Sequence, residues 1–270
     1  LCCAASPAKA MSDPRLTPDP ALATQSCAVQ VAVPVADLFR RPDGPRDRQV
    51  LFGEQVTVLH EASGWAYVQA EKDGYCGYVL QRALSTARRA THRVRVPATH
   101  AYTGADLKSP DLLSLSFGSS VTVTAETKDF AETPQGHIPR GHLAPIDRHE
   151  ADPAQIAALL LGTPYLWGGN SRWGIDCSGL VQAALLACGI PCPGDSDQQE
   201  STVGGPVEGD YQRNDLLFWK GHVALVVDAK TMIHANAHAM AVSYENITDA
   251  IARIEAAGDG PVTAHRRPGV

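Results

Sequence analysis

The sequence predicts a multi-domain protein in which two small all-β barrels precede an α+β domain with an antiparallel sheet. Three observations predict it. Short β-rich runs bounded by turn residues fill the first half of the chain. One of them recurs, because Val50-Leu-Phe-Gly-Glu-Gln-Val-Thr-Val-Leu59 parallels Leu115-Ser-Phe-Gly-Ser-Ser-Val-Thr-Val-Thr124. The second half then changes to helical spacing followed by further apolar runs.

Composition bounds the function. A chain of 270 residues with 44% hydrophobic content can bury two or three cores, at about 100 to 150 residues per domain. A formal net charge of −6 gives no basic field, which argues against nucleic acid or an anionic membrane surface as partner. No run approaches the roughly 18 apolar residues that would span a bilayer. The N-terminus lacks the basic-then-apolar pattern of a secretion signal, and Ala8-Lys9-Ala10 mimics a cleavage site with no apolar stretch before it. The first Met is Met11, so a start there and a cytoplasmic protein are expected. The seven cysteines, Cys2, Cys3, Cys27, Cys76, Cys177, Cys188 and Cys192, show no disulfide framework, as where thiols stay reduced. Cys188-x3-Cys192 and His234-x3-His238 are ligand-like pairs, but they lie 234 − 192 = 42 residues apart, so core packing is the better reading and no metal is expected.

Residues 1–26, with Pro14, Pro18 and Pro20, read as an irregular lead-in. The first barrel, 27–86, is expected from runs at Val29 to Val35, Gln49 to Leu51, Gln55 to Leu59, Trp65 to Gln69 and Tyr75 to Leu80. Asp43-Gly44, Gly53, Ser63-Gly64 and Asp73-Gly74 supply the turns. The weaker second copy occupies 87–147, and the α+β domain 148–270. That domain opens on a helix that Asp152 can cap, with Pro153 in its first turn, Gln155 completing a capping-box-like pair and Gly162 ending it. A second helix runs from Cys177 to Gly189, and a polar loop follows over 194–200. Strands are expected at Leu216 to Trp219, Val223 to Val227, Thr231 to His234 and Ala241 to Tyr244. A helix capped by Thr248 and ending at Gly258 comes next, and a closing strand at Val262 to Arg266.

The chemistry centres on Cys177. Gly162, Pro164, Gly168, Gly169 and Gly174 break regular structure before it, whereas Leu180, Val181, Ala184, Leu185 and Cys188 recur at helical spacing after it. A cysteine where a Gly-rich loop becomes a helix meets unpaired N–H groups and the positive end of the helix dipole, which favour a thiolate of lowered pKa. A thiolate nucleophile needs a base and a group to orient that base. His222 and His234 stand in two neighbouring apolar runs downstream, His222 being 222 − 177 = 45 residues on. Were Ala229-Lys230 a two-residue hairpin turn, Leu225 and not His222 would face His234, so the register must differ or the contact be diagonal. His238 competes for the orienting role, and His60, His92, His100, His137, His142, His149 and His265 read as surface or core residues.

Tyr165-x-Trp167-Gly168-Gly169, Asp176-Cys177-Ser178-Gly179, Asp195-Ser196, Asn214-Asp215-Leu216-Leu217-Phe218 and His222-Val223-Ala224, in that order, resemble the NlpC-type bacterial cell-wall peptidases over roughly residues 150–268. The Cys, His, His order is that of papain-like cysteine peptidases, so a papain-like fold is implied for the third domain. The two β-rich copies resemble bacterial SH3-like domains, as in the dipeptidyl-peptidase VI, or γ-D-glutamyl-L-diamino acid endopeptidase, branch.

The resemblance implies Cys177 as nucleophile, His222 as base and His234 as its orienting group, with the Cys177 N–H and Tyr165 near the oxyanion. It implies that Asp176, Ser178, Asp195 and Ser196 line the substrate groove, where capping and turn formation are the plainer roles for Asp176 and Ser196. Trp167 reads as packing beneath the nucleophile. In that branch a Glu and a Tyr of the first SH3-like domain bind the substrate's free α-amino group. Glu54 and Tyr75 match those motifs, with Tyr78 as substitute for the Tyr. The implied activity is hydrolysis of the bond between γ-D-glutamate and a diamino acid in murein peptides with a free N-terminal L-Ala, in recycling, with no metal or organic cofactor. An amidase or acyltransferase on the same fold, and a non-catalytic binder of wall fragments, are the alternatives.

Overall fold

The computed structural model describes residues 13–269; Cys2, Cys3, the Ala8-Lys9-Ala10 stretch and the start expected at Met11 lie outside them. In the first β-rich region, β1 (Cys27–Val31), β2 (Val35–Phe39), β3 (Arg46–Leu51), β4 (Gln55–Ala62), β5 (Trp65–Ala70), β6 (Cys76–Leu80) and β7 (Leu84–Thr86) form one antiparallel sheet. Its order is β3-β2-β6-β5-β4-β1-β7. The run expected over Val29 to Val35 is two strands, because Pro34 has no N–H to give a ladder and the chain turns there. β3 begins at Arg46, earlier than expected, and so carries Asp47 and Arg48 on a hydrogen-bonded strand, with Arg48 opposite Leu38 of β2. Val31, Leu38, Val56, Val68 and Val79 fill the core.

The described part of the lead-in, 13–26, has no helix or strand, and it is packed on the first β-rich region. Leu16 packs on that core and Leu22 on Leu59, Tyr67 and Cys76. The Cys76 N–H donates to the Arg15 carbonyl at 2.7 Å and the Thr24 N–H to that of Leu59 at 3.0 Å.

The second β-rich region comprises β8 (His92–Val94), β9 (Ala98–Tyr102), β10 (Asp111–Ser116), β11 (Ser120–Val121), β12 (Ala125–Glu126), β13 (Phe130–Thr133), β14 (Gly136–Pro139) and β15 (Leu143–Pro145). They form a five-stranded sheet, β10-β9-β14-β13-β12, and a three-stranded one, β11-β8-β15. Its core of Val94, Ala101, Leu115, Val121 and Ile138 also takes in Phe52 from the first region. The contact is tight. Gly53, at φ +76°, lies so close that a Cβ there would fall 1.9 Å from the Ser120 carbonyl oxygen, and the Ser120 N–H donates to the Phe52 carbonyl at 2.8 Å. Only glycine fits both the left-handed conformation and that approach.

The third region holds α1 (Pro153–Leu159), the short pair β16 (Asn170–Ser171) and β17 (Gly174–Ile175), α2 (Cys177–Ala187), α3 (Ser196–Thr202), β18 (Gly205–Pro206), β19 (Leu216–Trp219), β20 (His222–Val226), β21 (Thr231–Asn236), β22 (Ala241–Asn246), α4 (Ile247–Ala256) and β23 (Ala264–Arg267). The antiparallel sheet runs β18-β23-β19-β20-β21-β22. Alternation along its central strands serves two layers. Val223, Leu225, Ile233 and Ala235 pack with α1 and α2, while Ala224, Val226 and Met232 pack with Ile247, Ala250 and Ile254 of α4.

Three local expectations are corrected. The stretch 194–200 is largely α3, with the Gln198 side chain accepting from the Asp195 N–H at 3.3 Å. Asn246, not Thr248, caps α4, accepting from the N–H groups of Thr248 and Asp249. At α1, the Asp152 carboxylate is drawn away by Arg213 at 2.7 Å, and Asn214 Oδ1 accepts from the Ala154 N–H at 2.9 Å instead. An ion pair outcompetes a local cap where a guanidinium can present two N–H groups at once.

Candidate active site

Cys177 is the first residue of α2 and is 6% exposed. Asp176 is the N-cap, and its carboxylate accepts from the N–H groups of Gly179 (2.6 Å) and Gly168 (2.9 Å) and from the Ser178 hydroxyl (3.1 Å). The helix start is therefore occupied by a carboxylate, which corrects the expectation of a lowered thiol pKa. Burial and the Asp176 charge push the Cys177 thiol up to about 12, although N–H groups of Val223, Ser178 and Cys177 itself oppose them. In the free site the thiol keeps its proton.

β20 delivers His222 and β21 delivers His234. The observed pairing sets Leu225 opposite Ile233 and Val226 opposite Met232, one residue displaced from that of a two-residue turn. The connection is held by the Asp228 carboxylate, which accepts from the N–H groups of Lys230 and Thr231, both at 2.9 Å. A displacement of one residue changes which face a side chain takes. It puts His222 and His234 on one face in diagonal contact, with His222 Nε2 to His234 Nδ1 at 2.9 Å. His238 is exposed beyond the strand.

Sequence reasoning missed what lies behind His234. Its Nε2 is 3.0 Å from Glu245 Oε2, and Arg253 clamps the same carboxylate through Nε at 2.8 Å and Nη2 at 2.7 Å. The guanidinium holds the Glu245 carboxyl below the usual range. An ionised Glu245 only accepts, so His234 Nε2 carries a proton and its Nδ1 accepts from His222 Nε2, on the tautomers this network assigns. His222 Nδ1 is then an unprotonated base. Burial holds His222 near pKa 3 and His234 near 4, so both rings are neutral at pH 7.

A cavity of about 250 Å³ opens above Cys177, lined by Cys177, Ser178, Tyr165, Asp195 and Ser196 and, from the first β-rich region, by Asp47 and Tyr75. The Tyr75 hydroxyl donates to Asp195 Oδ2 at 3.1 Å. Burial, then the Asp195 charge, raise the Tyr75 pKa, so the phenol is neutral. Arg15 of the lead-in also lines the cavity and bridges Asp13 (2.8 Å), Asp195 (2.8 Å) and Asp197 (2.6 Å). Arg48, 2% exposed, crosses from β3 into the third region. It donates to the Gly194 carbonyl, to Asp195 Oδ1 at 3.1 Å and to Asn170 Oδ1 at 2.9 Å.

Comparison with known proteins gives this arrangement its kinship. Residues 38–84 match the family described as bacterial dipeptidyl-peptidase Sh3 domain, and residues 162–256 match the NlpC/P60 family. The γ-D-glutamyl-L-lysine dipeptidyl-peptidase of Bacillus subtilis is 30% identical over 230 residues, 75% of this chain and 76% of the relative. The chain belongs to the NlpC/P60 family. Dipeptidyl-peptidase 6 of Lysinibacillus sphaericus is 27% identical over 238 residues, 77% of this chain and 87% of that protein. An NlpC/P60 family protein of Bacillus cereus shares the fold with a TM-score of 0.75 at 21% identity, over 89% of this chain and 99% of the other. The chain is thus an NlpC/P60 peptidase with an SH3-like domain ahead of a papain-like one. No helix among the described residues is long and apolar enough to cross a membrane.

Not every expected residue of this NlpC/P60 protein reaches the cleft. Glu54 does not line the Cys177 cavity. It pairs with Lys72 Nζ at 2.8 Å and lines a separate cavity with Leu51, Arg93 and Phe117. It follows the Phe52-Gly53 turn, which packs on Ser120 of the second β-rich region, and its cavity meets α2 at Gln182, Ala183, Leu186 and Ala187, away from the Cys177 end. Asp47 is the first-domain carboxylate that lines the Cys177 cavity, and its side chain is 13% exposed beside Arg40 at 2.7 Å. Tyr78 lines another depression, with Tyr67 and Asp19, so Tyr75 is the aromatic residue that the cleft receives. Trp167 is not packed beneath Cys177 but 67% exposed on the cleft rim, its carbonyl accepting from Arg46 Nη2 at 2.8 Å. Gly168, at φ +70°, lies against the Asp47 backbone, where a Cβ would come within 2.5 Å of the carbonyl oxygen.

Proposed function

We propose that the protein is a cysteine endopeptidase that hydrolyses the γ-D-glutamyl-L-diamino acid bond of murein peptides with a free N-terminal L-Ala. One observation carries the reading: the SH3-like domain contributes Asp47 and Tyr75 to the lining of the cavity over Cys177. A cleft that a second domain helps to line suits a short peptide held by both, and its carboxylates suit an ammonium. Asp47 takes the role that the sequence assigned to Glu54.

His222 Nδ1 accepts the Cys177 proton as Sγ attacks the γ-carbonyl carbon, and the Cys177 backbone N–H, with Tyr165 nearby, receives the developing oxyanion. His222 returns the proton to the leaving amine as the C–N bond breaks. Water, deprotonated by the same ring, then releases the γ-glutamyl group from sulfur. The His234–Glu245–Arg253 chain keeps the base in one tautomer, and within it the Glu245 charge favours the protonated ring. Asp176, Ser178, Asp195 and Ser196 form the wall of the groove, and no cofactor is used.

In this reading residues 27–86 and 87–147 are two SH3-like domains and 148–270 the peptidase. The enzyme works in the cytoplasm on recycled fragments, a placement supported by free thiols at Cys27, Cys76, Cys177, Cys188 and Cys192. The test is a peptide panel. L-Ala-γ-D-Glu-L-lysine and its diaminopimelate analogue should release the diamino acid, the N-acetylated peptides should not, and Cys177→Ala should abolish turnover with the fold intact. Equal cleavage of acetylated and free peptides, or a tenth of the activity retained in Cys177→Ala, overturns the reading.

A further inference from the structure

The cleft has a second compartment. A cavity of about 460 Å³ lies on the far side of Tyr165 and Gly221, which line both spaces. This size is within the roughly 300–1,000 Å³ of small-molecule sites. His222, Asn236, Lys220, Arg253 and Asp259 face it. The two spaces differ in charge. The one over Cys177 is lined by Asp47, Asp176, Asp195 and Asp197 against Arg15 and Arg40, and the one beside His222 by Lys220 and Arg253 against Asp259. Arg253 spends Nε and Nη2 on Glu245, leaving Nη1 with no hydrogen bond among the described residues. Lys220 and Asp259 are exposed and make no ion pair among the described residues.

Resting on the function proposed above, we infer that this compartment is the leaving-group subsite and that it takes a free L-diamino acid end. Lys220 and the outer edge of Arg253 meet its α-carboxylate, and Asp259 meets its side-chain ammonium. The direction follows from the cleft. If the N-terminal amine lies at Asp47 and Tyr75, the chain beyond the scissile bond must pass Gly221 into the space beside His222, where the leaving nitrogen collects its proton. Opposite charge at the two ends sets the polarity of the bound peptide. It also selects a substrate whose diamino acid is the last residue, since amide extension removes the carboxylate that Lys220 faces.

The experiment compares L-Ala-γ-D-Glu-L-lysine with its C-terminal carboxamide and with its Nε-acetyl form. The wild-type enzyme should cut the carboxamide about tenfold more slowly in kcat/KM, a contrast in scale with charge-assisted contacts. Lys220→Ala should cost the free acid about three- to fivefold, the scale of an exposed ion pair, and leave the carboxamide unchanged. Asp259→Asn should likewise narrow the gap between the free and the Nε-acetyl peptide. Acid and carboxamide cut equally by the wild type, or a Lys220→Ala loss shared by both, overturns the subsite while leaving the endopeptidase reading in place. If none of the peptides is cut at the γ-glutamyl bond, the endopeptidase reading fails and the subsite falls with it.

Discussion

The two β-rich copies began from one pattern and now do different things. Their repeats align with an offset of 115 − 50 = 65, so Asp47 and Arg48 of the first copy correspond to Leu112 and Leu113 of the second. In the first, those positions send a carboxylate to the Cys177 cavity and a buried guanidinium into the peptidase. In the second, Leu112 is exposed and Leu113 packs on its own core, and no residue of β8 to β15 lines the Cys177 cavity. The shared Phe-Gly turn is used alike in both. Phe52 enters the core of the second copy and Phe117 enters the core of the peptidase around Leu180, Leu185 and Phe218. Each copy is pegged into the next unit by the same residue, while the strand before the peg decides whether a copy reaches the chemistry.

The largest effect should come from Arg48→Met. Removing a buried cation strands Asp176 and Asp195, whose charges it compensates, and breaking a buried pair costs about 3–5 kcal/mol. Urea unfolding should show that loss, and kcat/KM should fall with it, because Asp195 and Tyr75 lose their anchor. A variant with wild-type stability and activity would reduce Arg48 to packing. Next come the pegs. Phe52→Ala and Phe117→Ala should each cost about 3–5 kcal/mol by leaving a cavity, and Phe117→Ala should also lower kcat, since its cavity lies in the core that seats α2. Equal kinetics in the two would show that the pegs are interchangeable.

Asp47→Asn should leave the fold unchanged and lower kcat/KM for free-amine peptides about 10- to 150-fold, the value of a charge-assisted bond of about 1.5–3 kcal/mol. Leu112→Asp, its counterpart, should do nothing to turnover. Unchanged kinetics in Asp47→Asn, with a large loss in Glu54→Gln, would return the amine site to the residue first chosen.

That first choice shows where sequence reading stops. Cys177 is legible because its signals are local: glycines before it, helical spacing after it, and histidines in two apolar runs. Glu54 is the choice that the resemblance implies from a local motif match after Phe52-Gly53, but the side a turn faces is set by what packs against it. Asp47 and Arg48 sit before the expected start of their strand, so no periodicity marked them. Glu245 and Arg253 have no motif either, and they matter because β22 runs antiparallel to β21 and α4 folds back over the sheet. The His222–His234 contact was open in sequence since a shift of one residue in a loop decides it.

The smallest effect is expected in the second copy, at Arg93. It is 7% exposed, like Arg48 buried against the peptidase, and it donates to the carbonyls of Ala187 at 3.1 Å and Ile146 at 3.4 Å. Its Nε has no partner, and no carboxylate bonds to it among the described residues. Burial lowers its pKa, the opposite of the shift at Arg48, where carboxylates outweigh burial. A buried cation with no carboxylate bonded to it carries a desolvation cost that two carbonyls and the more distant charge of Glu150 offset only in part. Arg93→Met keeps the length and apolar contacts of the side chain and removes the charge. The two carbonyls each give up a donor, and the unpartnered Nε disappears. These changes oppose one another, so stability should stay within about 1 kcal/mol of wild type, and kcat/KM should be unchanged because the Cys177 cavity has no Arg93 in its lining. A loss of about 3 kcal/mol, as large as that expected for Arg48→Met, would show that both copies are held to the peptidase by the same kind of buried charge.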